Sequence, residues 1–389
     1  MRELAEATSQ TKAWACYDCG KCTATCPISR AGGAHSPRRQ VLAANLGARA
    51  DLLENGTLFQ CLTCSLCDQR CPAEVGYTGL VQRLRETAHR EGVEPDCPHG
   101  GALQSVMRMM ARGDTQQDRL QWLGGDLRTD PAKGEVFYWT GCAMYFDALF
   151  EDFPVQTLNG VRAAIRLMNR VGVTPVVSPK ERCCGHDLLW NGDRASFELL
   201  AKHNVQLVSE SGAETLVTSC AECLRTWKTD YAPFIEGAGP DVLHITEFLA
   251  GHLGELQPKA NGHRRVTYQD PCRMGRHLGL YDPPREVLAA MDGVELVEMR
   301  HAKTSATCCA GGTWSNCDRF AKKIQVERLR EARATGADVL AAACPKCQIH
   351  LACAMKDPHL RDEIAIEICD IAELIDAGLA GVKGKEDSK

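Results

Sequence analysis

Residues 212–223, GAETLVTSCAEC, and residues 336–347, GADVLAAACPKC, are two versions of one phrase. In each, a helix-like stretch ends at glycine, a short run of apolar, strand-favouring residues follows, and a C-x2-C pair closes the phrase: Cys220 and Cys223, then Cys344 and Cys347. The match extends upstream. Cys183-Cys184 answers to Cys308-Cys309, and Cys142, ending EVFYWTGC, answers to Cys272, ending RRVTYQDPC. All five pairs of corresponding cysteines lie 124 to 130 residues apart. So constant an offset marks an internal duplication.

Each copy reads as a small α/β unit. A β-rich segment delivers the first cysteine, and a helix (NGVRAAIRLMNRVG or REVLAAMDG) precedes the Cys-Cys pair. A longer helix (SFELLAKHNVQLVSESG or FAKKIQVERLREARATG) leads into the strand, LVTS or VLAAA, that carries the final pair. DVLHITEFLAG and EIAIEICDIAELIDAG close the two copies, each as a strand followed by a helix. Five cysteines per copy is one more than a four-iron cubane needs. Neighbouring cysteines do not readily satisfy disulfide geometry with each other, and a structural zinc site closes with four ligands. An enlarged or opened iron–sulfur centre fits the count better.

Ahead of the duplication stand two complete C-x2-C-x2-C-x3-C-P runs: Cys16, Cys19, Cys22 and Cys26 before Pro27, and Cys61, Cys64, Cys67 and Cys71 before Pro72. Zinc also uses C-x2-C pairs, but two full runs ending in Cys-Pro favour paired [4Fe-4S] clusters, in which the fourth cysteine of each run crosses to the other cluster. The expected sets are Cys16, Cys19, Cys22 and Cys71 for one cluster, and Cys61, Cys64, Cys67 and Cys26 for its neighbour. Between the runs, Ser36 can cap a helix with Pro37 at its first position and Val41, Leu42, Leu46 and Leu52 as apolar positions. A second helical stretch, LVQRLRETAHREG, follows Cys71. The expected organisation is α+β / α/β: a helical two-cluster ferredoxin-like domain (1–93), a connection with one short helix near Leu103 to Arg112 (94–133), two α/β halves (134–255 and 262–380), and a disordered polar tail (381–389).

The remaining composition excludes several classes. The first residues lack the basic start, apolar core and small-residue cleavage site of a secretory signal, and no apolar stretch reaches the roughly 18 residues of a membrane span. A reducing, cytoplasmic setting is expected, which speaks against disulfides for the 22 cysteines. A formal charge of −5 with mixed signs argues against nucleic-acid binding. Neither a GxGxxG after a convincing strand nor a GxxxxGK[ST] occurs, so no flavin or nicotinamide site is expected in this chain. Its electrons must pass through other proteins.

At these cysteines, over about residues 10 to 378, the chain resembles the CCG-domain family, and the whole arrangement is similar to the catalytic subunit of heterodisulfide reductase, with its ferredoxin module and duplicated CCG module fused. The resemblance implies two noncubane [4Fe-4S] clusters, one on Cys142, Cys183, Cys184, Cys220 and Cys223, the other on Cys272, Cys308, Cys309, Cys344 and Cys347, beside the two cubanes. It implies a thiol–disulfide oxidoreductase in which each open cluster delivers one electron and captures one sulfur fragment of a small disulfide, such as that of coenzymes M and B, or runs the reverse. The implied partners are a flavoprotein with hydrogenase or dehydrogenase, or a membrane cytochrome subunit that would bring the protein to the inner face of the membrane. The other class of function is a noncatalytic relay in a larger anaerobic complex, such as a quinone-linked dehydrogenase or a system for sulfite or aromatic-ring reduction. Both copies keeping all five cysteines favours the enzyme.

The copies differ at one point: Cys183-Cys184-Gly185-His186 stands opposite Cys308-Cys309-Ala310-Gly311-Gly312. The glycines allow close approach of backbone or substrate, and His186 is a candidate proton donor. Lys180, Arg182, His301 and Lys303, upstream of the Cys-Cys pairs, are candidates for holding an anionic substrate, against the plainer reading as solvated loop charges. Cys97, Cys317, Cys353 and Cys369 remain outside the cluster sets and read as packed or incidental thiols.

Overall fold

The computed structural model describes residues 2–53, 56–114 and 116–380; the expected disordered tail, 381–389, lies outside the described residues. The chain divides into two compact units. The first holds residues up to Gly113 together with Gly185–Leu200 and Thr307–Glu327, and the second holds Asp114–Cys184, Ala201–Ala306 and the chain from Arg328 onward.

The first unit is helical. Helix Pro37–Asn45 starts as its sequence suggests, with Ser36 Oγ accepting the Arg39 amide at 3.4 Å and proline at the first turn. It packs with Arg2–Gln10, Arg49–Leu53 and Tyr77–Arg90 around a core that includes Val41, Leu52, Leu58, Leu80 and Leu84. The short helix expected in the connection runs Ala102–Ala111. What the sequence did not announce is that the segments following both Cys-Cys pairs are built into this unit. Arg85, fully buried, explains how one of them is held. Its guanidinium donates to the carbonyls of Trp190 (2.9 Å), Leu58 (3.0 Å) and Cys61 (2.7 Å), and lies over the Phe59 ring. A buried cation is tolerable only when its N–H groups find acceptors, and three carbonyls supply them here. Further bonds run from Arg108 to Asp193 (2.8 Å), from Asn191 to the Thr313 carbonyl (2.9 Å) and from Asn316 to the Phe59 carbonyl (3.1 Å).

The second unit contains two parallel sheets, one from each copy. Strands β1 (Val136–Trp139), β2 (Thr215–Thr218) and β3 (Asp241–His244) lie in the order β1-β2-β3. Strands β4 (Lys259–Gln269), β5 (Asp292–Leu296), β6 (Val339–Ala342) and β7 (Glu367–Asp370) lie in the order β5-β4-β6-β7. Every pairing is parallel, and the first-cysteine strand pairs with the C-x2-C strand in both copies, through Val136↔Thr215 and Val266↔Val339. The apolar runs of β2 and β6 are what a parallel strand covered on both faces requires. Strand β5 was not foreseen. Its residues are only part-buried, and its counterpart in the first copy is reduced to isolated bridges of Val176 with Asp130 and Phe137.

The copies pack by exchanging helices. Thr157–Arg170 of the first lies on Ile371–Ala380 of the second, and Ile245–Ala250 of the first lies on Asp282–Ala289 of the second. Arg166 Nε reaches Asp376 at 2.6 Å across the first of these seams. Gly160 allows close approach there: a Cβ at that position would stand 2.7 Å from Asp370 Cγ. Replacing a helical glycine by alanine ordinarily stabilises by about 1 kcal/mol, as expected for Gly79→Ala in Tyr77–Arg90, where the added Cβ meets only an ordinary contact with Thr11. At Gly160 the overpacking penalty of about 1–3 kcal/mol reverses the sign. Denaturant unfolding should therefore show Gly160→Ala less stable than the parent and Gly79→Ala equal or more stable; a stabilised Gly160→Ala would mean that the seam is looser than described.

Candidate metal centres

No disulfide joins any two of the 22 cysteines. In the first unit they line two cavities. One is walled by Cys16, Cys19, Cys22 and Cys71, with Cys67 shared between the two. The other is walled by Cys26, Cys61, Cys64 and Cys67. The fourth cysteine of each run thus stands with the first three of the other. Local backbone makes this possible: Gly20, Thr63 and Ser65 adopt left-handed conformations that turn the loops tightly. The Thr63 amide points at Cys61 Sγ and the Val75 amide at Cys71 Sγ, both at 3.3 Å. The two cavities differ in exposure. Cys26, Cys61, Cys64 and Cys67 are buried, whereas Cys19 is exposed and Cys16, Cys22 and Cys71 are half-buried.

In the second unit, Cys142, Cys183, Cys184, Cys220 and Cys223 come together. Cys142 follows β1 through Gly141, whose left-handed turn leaves room where a Cβ would lie 3.1 Å from Cys223 Sγ. Cys223 Sγ is 3.5 Å from Cys184 Sγ; Cys183 interacts with both Cys142 and Cys184, and Cys220 with Cys223. Tyr231 Oη donates to the Cys184 carbonyl (2.9 Å), and Asn204 Nδ2 donates to the Cys183 carbonyl (3.0 Å). The two loops are locked by a buried carboxylate. Glu181 accepts from the amides of Thr140 (3.1 Å) and Gly141 (2.7 Å) and pairs with buried Arg119 at 3.0 Å. Arg119 in turn donates to the Gly141 carbonyl. Burial pushes the Glu181 carboxyl up to about 7, against the opposing pull of Arg119 and the two amides.

The second copy solves the same problem with the carboxylate on the other loop. Asp270, two residues before Cys272, accepts the backbone amide of Lys303 (2.8 Å) and is held by both terminal nitrogens of Arg285 at 2.8 and 3.0 Å. Cys272, Cys344 and Cys347 lie in the second unit; Cys308 and Cys309, both buried, begin the Thr307–Glu327 segment of the first. The Ala310 amide, in a left-handed turn, points at Cys308 Sγ at 3.4 Å. The two C-x2-C arms abut: the Cys344 thiol hydrogen-bonds Cys220, and Lys346 Nζ meets Glu222 Oε2 at 2.8 Å with both side chains largely buried. Lys346 and Glu222 occupy corresponding positions of the duplication, so the opposite charges inside the two motifs were the signal that marked this pair. Nothing comparable pointed to Arg119, which lies in the irregular connection.

His186 is buried in the first unit, opening the helix His186–Asn191, with its ring 5.9 Å from that of Trp190. Two of the candidate anion-binding cations are engaged within the protein, His301 with Glu331 and Lys303 with Asp282, each at 2.9 Å. Lys180 is exposed and Arg182 half-buried. Of the four cysteines outside the sets, Cys369 is buried, Cys97 and Cys353 are half-buried, and Cys317 is exposed with His99 Nε2 at 3.7 Å.

The chemistry of these donor sets suits iron–sulfur clusters. Burial pushes the Cys61 thiol up to about 12 and the Cys67 thiol well above its ordinary range. The neighbouring thiols Cys183 and Cys184 act first in raising Cys142 and Cys223 respectively, with burial adding to both. Thiols so crowded and so dry cannot ionise together unless metal cations neutralise them. Clustered, all-sulfur donors at strand ends and in tight loops are what soft-ligand metal binding demands.

Two family profiles match the chain: "4Fe-4S dicluster domain" over residues 12–75, and "Cysteine-rich domain" twice, over 136–228 and 266–352. Among characterised relatives, the D-type component of dihydromethanophenazine:CoB–CoM heterodisulfide reductase from Methanosarcina acetivorans is 30% identical, covering 86% of this chain and 87% of its own. The same component from Methanosarcina barkeri is 29% identical over 93% of this chain and 92% of its own. One component of the fumarate reductase (CoM/CoB) of Methanothermobacter marburgensis is 27% identical over 93% of this chain and 71% of its own. A hypothetical protein from Helicobacter pylori shares the fold, with a TM-score of 0.56 and 9% identity over 90% of this chain and 70% of that one. Among the described residues, no helix is long and apolar enough to cross a membrane. With the cysteine-rich domain present twice behind a dicluster domain, and similarity running through almost all of its length, the chain belongs to the D-type heterodisulfide reductase family of iron–sulfur oxidoreductases.

Proposed function

We propose that the chain is the catalytic subunit of a thiol–disulfide oxidoreductase that cleaves a low-molecular-weight disulfide, or forms it in reverse. The observation that carries this reading is that the first copy brings its five cysteines together and its C-x2-C arm touches that of the second copy, Cys220 against Cys344, in a chain whose sequence repeats all five cysteines. A single five-cysteine site would suffice for storing electrons; two of them suit a substrate that leaves two sulfur fragments. Cleavage takes up two electrons and two protons and yields two thiols. When bound, two cubane clusters on Cys16, Cys19, Cys22, Cys71 and on Cys61, Cys64, Cys67, Cys26, with two noncubane clusters on the Cys142 and Cys272 sets, supply single-electron steps and sulfur-binding iron. The protein's part is to hold the thiolate loops in register, through Glu181 and Asp270, and to deliver a proton from His186 to a departing sulfur. Electrons come from a partner, a flavoprotein with hydrogenase or dehydrogenase or a membrane cytochrome subunit, and the chain works in the cytoplasm or against the membrane's inner face through that partner. The dicluster domain, which suits the passage of single electrons by itself, supports a second reading, a relay that passes electrons without binding a disulfide.

Reduction of a panel of small disulfides by the cluster-loaded protein with reduced methyl viologen, followed by thiol release, separates these readings. We expect thiol formation with at least one disulfide, lowered more than about 100-fold in Cys183→Ser and, separately, in Cys308→Ser. A relay would oxidise the viologen only to the extent of its own clusters and release no thiol. Near-normal turnover by His186→Ala would remove the histidine from the proton path.

The loop-locking role of Glu181 has its own test. Glu181→Ala leaves Arg119 buried without its counter-charge, a loss of about 3–5 kcal/mol. It should also lower bound iron from about sixteen atoms per chain toward about twelve, as the Cys142 set fails to hold its cluster. Removing both charges with Arg119→Met/Glu181→Gln should recover part of the stability. Parental thermal stability and full iron content in Glu181→Ala would contradict the role.

A further inference from the structure

Seven large hydrophobic side chains stand exposed among the described residues, and four of them fall within one stretch of the first unit: Trp14 (70% exposed), Tyr17 (62%), Leu42 and Leu46 (73%). Scattered exposed leucines need no explanation, but these four are neighbours. Leu42 and Leu46 are one turn apart at the end of helix Pro37–Asn45. Asn45, beside Leu46, donates to the Ala13 carbonyl at 2.9 Å, which brings this end of the helix to Trp14. At the other end, Arg38 meets Asp18 at 3.5 Å and ties the helix to the Tyr17 loop. Tyr17 itself lines the Cys16–Cys19–Cys22–Cys71 cavity, whose cysteines are the more exposed. The surround is basic. Lys21 and Arg39 are exposed and, among the described residues, have no carboxylate partner, although the whole chain carries a charge of −5. An aromatic and aliphatic centre whose rim, beyond the Arg38–Asp18 pair, carries the unbalanced positive charges of Lys21 and Arg39 has the anatomy of a protein interface.

We propose that this face docks an acidic electron-carrier protein, and that the Cys16–Cys19–Cys22–Cys71 site, rather than the Cys26–Cys61–Cys64–Cys67 site with its buried cysteines, receives the electron. The inference rests on the reading that these cysteines hold clusters. Each encounter oxidises the carrier's cofactor by one electron and reduces this chain by one; no atom is transferred. The basic rim steers a negatively charged carrier, and the patch brings its cofactor to the loop on which Cys19 is exposed. An anionic membrane would also match the basic rim, but lipid would then cover the exposed Cys19.

The test uses the full cluster-loaded chain and reduced flavodoxin, an acidic flavin carrier, in stopped-flow mixing, with reduced methyl viologen as a donor that needs no docking. The second-order rate with flavodoxin should fall about tenfold or more as salt rises from low to high ionic strength. Trp14→Ala/Leu46→Ala and Arg39→Glu should each slow it several-fold, with unchanged iron content and unchanged reduction by viologen. Failure of viologen to reduce the protein, or a low iron content, would instead count against the cluster reading beneath the proposal. Parental flavodoxin rates in both variants overturn the docking surface. So does binding to phosphatidylserine vesicles that is lost in the variants while flavodoxin rates stay parental, which would assign the face to a membrane.

Discussion

A loop that carries a metal-binding thiol lies beyond the hydrogen-bond ladder of the strand that delivers it, and something else must hold it still. In this chain buried carboxylates do so. Glu181 takes the amides of Thr140 and Gly141, so the loop ending at Cys142 and the loop leading to Cys183 share one anchor. Arg119 balances the charge and returns a bond to the Gly141 carbonyl, which keeps the cost of burying the pair tolerable. The spacing of Cys142 from the Cys183–Cys184 pair follows from that anchor. A one-residue slip of either loop would leave a carboxylate and an arginine unpaired in a dry interior.

The duplication has kept the function of this anchor while exchanging its parts. In the second copy the carboxylate, Asp270, sits on the first-cysteine loop and captures the amide of Lys303 on the other, the reverse of the arrangement around Glu181. Arg285 supplies the counter-charge from a helix rather than from an irregular connection. The same divergence appears where the copies meet. Equivalent positions within the two C-x2-C motifs became Glu222 and Lys346, which attract one another, whereas identical charged residues would have repelled. The interior of the duplicated protein is thus specific to two unlike halves, with Gly160 and Asp370 packed at a second point of the same seam.

How far the sequence could be read follows from what each feature depends on. The cysteine runs, the repeat and the helix at Ser36–Pro37 are local patterns, and each was legible. The α/β character of each copy was legible as well; the pairing of β1 with β2 and of β4 with β6 was not, although apolar runs such as VLAA, which need cover on both faces, carried its signal. Strand β5 was not, because DGVEL is only part-buried and lacks a full strand counterpart in the first copy. Arg119 and Glu181 stand 62 residues apart with no periodicity to join them. The membership of Gly185–Leu200 in the helical unit depends on Arg85, whose side chain in an amphipathic helix reads as a surface charge until its acceptors are seen, and that of Thr307–Glu327 on amide side chains, Asn316 and Asn191, that carry no sequence signal.

The central claim is that the two five-cysteine sets bind substrate sulfur. The most direct measurement is electron paramagnetic resonance of the anaerobic, oxidised, cluster-loaded protein titrated with a panel of small thiols, including coenzymes M and B. The account predicts a new paramagnetic species with at least one thiol, saturating with concentration and absent in Cys183→Ser or Cys308→Ser. Spectra that show only the signals of reduced cubanes, unchanged by every thiol, would contradict it and leave the chain a conduit for electrons.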